Sequence, residues 1–131
     1  MNYYATVRSN YFRVKDLESF KQFCDRWGLE LLETVTRGEV VGFTPQRFND
    51  GGIRQPPDDE EADFVSELAK QLDRDEVAIF MEAGNEGVRY VIGLATAVNW
   101  RGTQTHISLC DIYKKARKLT RRPDNITACE Y

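Results

Sequence analysis

Histidine is almost missing from this chain. His106 is the only one in 131 residues, and cysteine occurs three times, as Cys24, Cys110 and Cys129. A single imidazole with scattered thiols makes no zinc-type spacing, so neither a metal nor a cofactor is expected. An odd number of thiols gives no disulfide framework and points to a reducing, cytoplasmic setting. Cys24 and Cys110 fall on apolar helix faces in the sequence pattern, where a free thiol behaves as a small hydrophobe. No run approaches the ~18 apolar residues that cross a bilayer. Met1 leads at once into strand-like sequence without the apolar core of a signal peptide, so no membrane partner is expected.

Phosphate motifs and nucleophile motifs are missing too. Gly84-Asn85-Glu86-Gly87 lacks the lysine and spacing of a Walker loop, and no G-x-G-x-x-G occurs. It reads as a hairpin turn, where Gly and Asn accept positive φ. His106 has no accompanying nucleophile motif, so a structural hydrogen bond is the role expected of it. Glu82 and Glu86 flank the turn as a pair of carboxylates, the residue type that general acid–base chemistry uses. Two glutamates beside a turn are more often simply solvated. No repeat longer than a loose echo of elements is present, and no segment is of low complexity.

What the chain does have is a 41% hydrophobic, 30% charged composition with a net charge of −3. A chain of this length fits one domain with a core of its own. The expected fold is α+β: an antiparallel sheet of about six to seven strands, by pattern count, with three helices mainly on one face. Its centre is the stretch Glu76 to Leu119. Strand Glu76–Ala83, a long strand from Val88 to about Asn99 and Thr103–Ser108 form an antiparallel set, followed by a helix over about Leu109–Leu119. Tyr90, Ile92, Leu94 and Val98 share one face of the long strand, and Val91, Gly93, Ala95 and Ala97 the other. Apolar residues on both faces predict cover on both sides. The small face leaves room for Leu109, Ile112, Tyr113, Ala116 and Leu119 of the last helix, which recur at helical spacing. Ser108 and Asp111 form its capping box.

Upstream, Tyr3–Ser9 alternates as a strand. Asn10 marks a turn or bulge before Tyr11–Lys15, where Phe12 and Val14 share a face. Asp16 caps a helix over Leu17–Trp27 whose apolar positions are Leu17, Phe20, Phe23, Cys24 and Trp27, and Gly28 fits its C′ position. A hairpin follows, Leu29–Thr36 against Glu39–Thr44 with Arg37-Gly38 as its turn. The loop from Pro45 to Pro57 is rich in breakers. A second helix over Asp59–Leu72 is expected, capped by Asp58 with Glu61 completing the box. Residues 120–131 form a tail whose last part, Ile126–Tyr131, fits a short edge strand or a disordered end.

Charge is uneven along the chain. From Thr44 to Asp75 nine acids stand against four bases, and Asp58, Asp59, Glu60, Glu61 and Asp63 crowd the start of the second helix. Carboxylates there offset the helix dipole, and they also offer an acidic face to a basic partner. From Asp111 to Arg122 six bases stand against one acid. Within that cluster Lys114, Lys115, Lys118 and Arg121 are the candidates for gripping phosphates. Tyr3, Tyr4 and Tyr11 near the start and Trp100 beside Arg101 at a turn cannot all be core. Trp, Tyr and Arg are favoured at interaction hot spots, so Trp100, Arg101 and Tyr11 join the acidic run as candidate partner contacts.

The opening run from Tyr4 to Asp16, YATVRSNYFRVKD, with Arg89-Tyr90-Val91-Ile92-Gly93 and Asp111-Ile112-Tyr113, is similar to small hypothetical proteins carried by bacteria, phages and plasmids. The resemblance implies a mobile-element setting. Small non-enzymatic proteins there act by binding host machinery, including defence complexes such as CRISPR effectors, and no catalytic residue is implied. Three functions follow as expectations. The first is a non-enzymatic binding or regulatory protein that engages a protein partner through the acidic loop–helix and the exposed aromatics, as an inhibitor of a host nucleic-acid-handling or defence complex. The second is a nucleic-acid binder using the final helix. The third is a small hydrolase using Glu82, Glu86 or His106. The oligomeric state is not legible from the sequence.

Overall fold

Aromatic side chains decide where the interior lies. Phe12, Phe20, Phe23, Phe43, Phe80 and Trp27 are all buried. Half-buried Phe64 sits among them, its ring centroid 5.5 Å from Phe23, 5.0 Å from Trp27, 5.6 Å from Phe43 and 5.4 Å from Phe80. The rings of Trp27 and Phe80 meet Phe64 edge-on, at 77° and 87°, the arrangement the ring quadrupole favours. The elements fold around this cluster.

A computed structural model describes residues 3–33, 39–46 and 52–130. The chain is α+β, with β1 (Tyr4–Ser9), α1 (Leu17–Arg26), β2 (Leu29–Glu33), β3 (Val41–Pro45), α2 (Phe64–Gln71), β4 (Val77–Asn85), β5 (Val91–Asn99), β6 (Gln104–Ser108) and α3 (Ile112–Ala116). The six strands divide between a four-stranded antiparallel sheet, in the order β1-β4-β5-β6, and a two-stranded hairpin, β2-β3. The expected hairpin turn at Arg37-Gly38, and Arg47 to Gly51 of the expected loop, lie outside the described residues.

Helix α1 forms as its pattern predicts. Asp16 accepts from the Ser19 N–H, Trp27 ends the helix, and Gly28 follows at φ 65°. Its inward stripe is Phe20, Phe23 and Cys24, while Leu17 is 40% exposed, outside the stripe assigned to it. Asn10 ends the run of β1 on the sheet: its Oδ1 accepts from the Ile79 N–H at 2.8 Å and its Nδ2 donates to the Val77 carbonyl at 3.1 Å. The side chain stands in for a continuing strand, so the backbone is free to leave. Phe12 then pairs with Val41 of the hairpin, N–H to carbonyl in both directions at 2.8 and 2.9 Å.

The hairpin is locked over β1. Buried Ser9 donates through Oγ to the Asn10 carbonyl and accepts from the Phe43 N–H at 2.7 Å, and Thr44 Oγ donates to the Val7 carbonyl at 2.8 Å. Gly42 permits the approach: a Cβ there would lie 2.7 Å from the Asn10 carbonyl oxygen.

Three expectations fail in instructive ways. The second helix starts at Phe64, capped by Asp63 and not by Asp58 with Glu61. Residues 58–62 are a turn instead, because Gln55 Nε2 donates to the carbonyls of Glu60 and Ala62 and Arg26 holds Asp59, so those groups are satisfied without a helix. The β4–β5 turn is Glu86–Arg89, with Gly84 and Asn85 still in β4. Gly84 lies in the strand where a Cβ would collide with the Tyr3 ring.

The third failure is the largest. The last helix does not cover the sheet. Past the Ser108–Asp111 capping box it breaks into a 3-10 turn, the five-residue α3 and a second 3-10 turn. Leu109 reaches the small face of β5, over Gly93. Leu109, Ile112 and Leu119 are 58%, 57% and 87% exposed, and Cys110 is exposed as well. Tyr113 is turned toward the tail, where its hydroxyl accepts from the Cys129 N–H at 2.7 Å. The tail itself forms a 3-10 turn at Pro123–Asn125 and a single bridge between Glu130 and Tyr90.

Candidate functional site: an open sheet face beside a basic arm

Antiparallel register assigns every sheet residue to a face. Ala78, Phe80, Thr96 and Val98 point to the aromatic core. The opposite face carries Arg8, Met81, Ala95 and Ile107 in one cross-strand row and Thr6, Ala83 and Gly93 in the next. That face has small residues for a floor and larger ones standing up from it. Met81 is 60% exposed, Val91 60% and Ile107 68%. Met81 and Ile107, with Leu109 over Gly93, line an apolar groove of about 460 Å³. A polar rim exists at Arg8, whose Nη2 donates to the Tyr11 hydroxyl at 3.1 Å while its guanidinium lies 5.4 Å from the Tyr11 ring. Tyr11, a candidate contact residue, thus holds an arginine at the groove's edge.

Beside the groove runs the C-terminal arm, residues 109–130. Lys114, Lys115, Arg117, Lys118, Arg121 and Arg122 are all exposed. Among the described residues none of the six forms an ion pair; the pairs present belong to Lys21, Arg26 and Arg89. From Asn99 through Glu130 no residue is buried. Ordering a residue's backbone costs roughly 1–2 kcal/mol, which burial normally offsets. This stretch has almost no burial to set against that cost.

Part of the acidic run has partners within the chain. Arg26 donates to Glu67 at 2.9 Å and to Asp59 at 3.1 Å, and Asp58 lies 4.0 Å away. Glu67 also accepts from the Trp27 indole at 3.0 Å. The Arg26 hydrogen bond holds the Glu67 carboxyl below the usual carboxylate range. The Ser66 hydroxyl and N–H do the same for Asp63, the α2 cap. Asp58, Glu60 and Glu61 are the acids of this run that face solvent without a side-chain hydrogen bond, Asp58 reaching Arg26 only as the 4.0 Å ion pair. Trp100 occupies the β5–β6 turn, half-buried against the core, and the Arg101 guanidinium covers its ring at 5.1 Å.

The residues of the hydrolase expectation are engaged separately. Glu82 accepts from the Tyr3 hydroxyl at 3.0 Å. Burial and that carboxylate push the Tyr3 phenol up to about 12. Glu86 pairs with Arg89 at 3.4 Å. His106 Nδ1 lies 3.0 Å from the hydroxyl of buried Thr96. Cys24 is buried, and burial above all, with Asp25 nearby, pushes its thiol up to about 12. Among the described residues no group of three or more His, Cys, Asp or Glu side chains is placed to hold a metal ion, and no helix is long and apolar enough to cross a membrane.

Sequence reasoning passed over Met81 and Ile107. Their signal was present as period-two alternation in β4 and β6. What alternation lacks is a label for which face will be covered. No family model, curated protein or solved structure matches this chain.

Proposed function

We propose that this chain is a small non-enzymatic binding protein that engages a protein partner through the open face of its sheet and the adjoining basic arm. The observation that carries this reading is the stretch from Asn99 to Glu130, which has no buried residue yet displays Ile107, Leu109, Ile112 and Leu119. Large exposed apolar patches mark interaction sites. The partner that fits has an apolar projection for the groove and acidic groups around it for the six unpaired cations. This centres the contact surface away from the acidic turn, where Asp59 is held by Arg26 and Asp63 caps α2. The resemblance of the chain's ends to mobile-element proteins makes a nucleic-acid-handling host complex the first partner to try.

The test compares partner capture by the wild type and by a Met81→Asp, Ile107→Asp double variant, read by mass spectrometry. Both side chains are exposed, so the stability cost is about 1 kcal/mol or less per site, the span of strand propensity. A stoichiometric partner held by the wild type and lost by the double variant is the expected result. Equal capture by both proteins removes the open face from the reading.

A second reading, direct nucleic-acid binding by Lys114, Lys115, Lys118 and Arg121, is favoured by the absence of ion pairs along the arm. Its signature is affinity that falls steeply with salt, because phosphate contacts release counterions. Reversing those four charges abolishes binding if it is right, and a salt-independent affinity excludes it.

A further inference from the structure

Among the described residues, strand β6 is an edge without the usual protection. Natural edge strands carry a lysine, a proline, a bulge or a covering element. Gln104, Thr105, His106, Ile107 and Ser108 carry no lysine and no proline, and all five are exposed. The pairing pattern shows which backbone groups are free. The Asn99 N–H donates to the Thr103 carbonyl at 3.0 Å, which makes 99/103 a hydrogen-bonded pair. Antiparallel ladders alternate, so 97/105 and 95/107 are also bonded pairs, and residues 104, 106 and 108 point their N–H and C=O groups outward. The close side-chain contact of Thr96 with His106, at 3.0 Å, fits the non-bonded pair this alternation requires. The Ser108 N–H is already taken by Asp111 at 2.9 Å. Gln104 and His106 are therefore the two residues with both groups unused on the outer side.

We infer that a second copy of this chain occupies that edge, pairing β6 with β6 about a two-fold axis at Thr105. In this register Gln104 of each copy exchanges both backbone hydrogen bonds with His106 of the other, and no outward group is asked to bond that is already committed. An axis normal to the sheet keeps both open faces on the same side. Two four-stranded sheets become one of eight strands, and the two apolar grooves lie next to each other with a basic arm at each. The same operation sets the Arg101 turn of one copy beside the Leu109–Asp111 turn of the other, a cation against the one carboxylate between Asp111 and Arg122. The paired edge is a strand of 5 residues with a turn at each end, well short of the roughly 20–30 residues a side of a standard interface. Such an interface implies a weak dimer that dissociates on dilution. Dimerisation goes beyond the partner-binding function, since the edge and the face are different surfaces and either can fail alone.

Thr105 supplies the test. Its side chain lies on the axis, directly opposite its own copy, where like charges destabilise a cross-strand pair. Light scattering on the purified wild type, from about 1 to about 100 µM, is expected to show the mass rising from 15.1 kDa toward twice that value. Thr105→Lys and Thr105→Glu are each expected to stay monomeric across the range, and their equimolar mixture to recover the dimer. Gln104→Pro, which removes an outward donor at the first residue of an edge strand, is expected to weaken association at least tenfold with an unchanged melting temperature. A wild type that stays at the monomer mass at the highest concentration overturns the proposal. So does a dimer that survives in Thr105→Lys alone, or a mixture of the two charge variants that fails to associate.

Discussion

Along β1 the outer edge of the sheet is occupied. Thr44 donates to the Val7 carbonyl, the Phe43 N–H reaches the Ser9 hydroxyl, and Gly42 lets the hairpin lie against Asn10. Along β6 nothing comparable exists among the described residues, and every side chain of the strand is exposed. The same sheet is also covered on one face by α1, α2 and the aromatic cluster and left open on the other. One half of the molecule is a finished interior and the other is an exposed, partly apolar surface. The contrast teaches that burial here is spent on holding a scaffold, and that the apolar residues left over are grouped on one side.

The comparison breaks most severely at the finished half. Phe43 is fully buried and touches Phe12, Phe64 and Phe80. Phe43→Ala is expected to cost about 3–5 kcal/mol in a denaturant titration, as large core truncations do. Next comes the clasp between hairpin and sheet. Ser9→Ala leaves the buried Phe43 N–H without its acceptor, and a loss of about 1–3 kcal/mol is expected by the same measurement.

The smallest effect is a pH dependence. The Glu67 carboxyl has a folded value below its unfolded value of ~4.3, because Arg26 donates to it. Its contribution is therefore fully present above that pH and is lost as pH falls through the folded value. Melting temperature is expected to drop on acidification below about pH 4.3, and less steeply in Glu67→Gln. Together these sharpen the contrast with Met81→Asp, Ile107→Asp on the open half, which should leave the fold standing and remove only the partner.

Much of the fold was legible in local chemistry. Asp16, the Phe20–Phe23–Cys24 stripe and Gly28 announce α1, and Ser108 with Asp111 announces the turn that ends β6. The acidic turn was less so. Five carboxylates before an apolar stripe suit a helix start, but Gln55 and Arg26 capture that segment from a distance, and pattern alone does not show a side chain arriving from elsewhere. The groove was legible in part: the small face of β5 predicts something lying on it, and Leu109 does.

Periodicity, caps and turn residues were enough to determine that this chain builds strands and amphipathic helices, and to place α1. Those choices depend on neighbours within a few residues. Which face of the sheet receives the helices, and which edge receives the hairpin, depended on contacts between segments far apart in the chain. Val91, Gly93, Ala95 and Ala97 are as apolar as the strand face that was buried. Only the arrival of α1, α2 and the aromatic cluster on the other side decided that theirs would face outward.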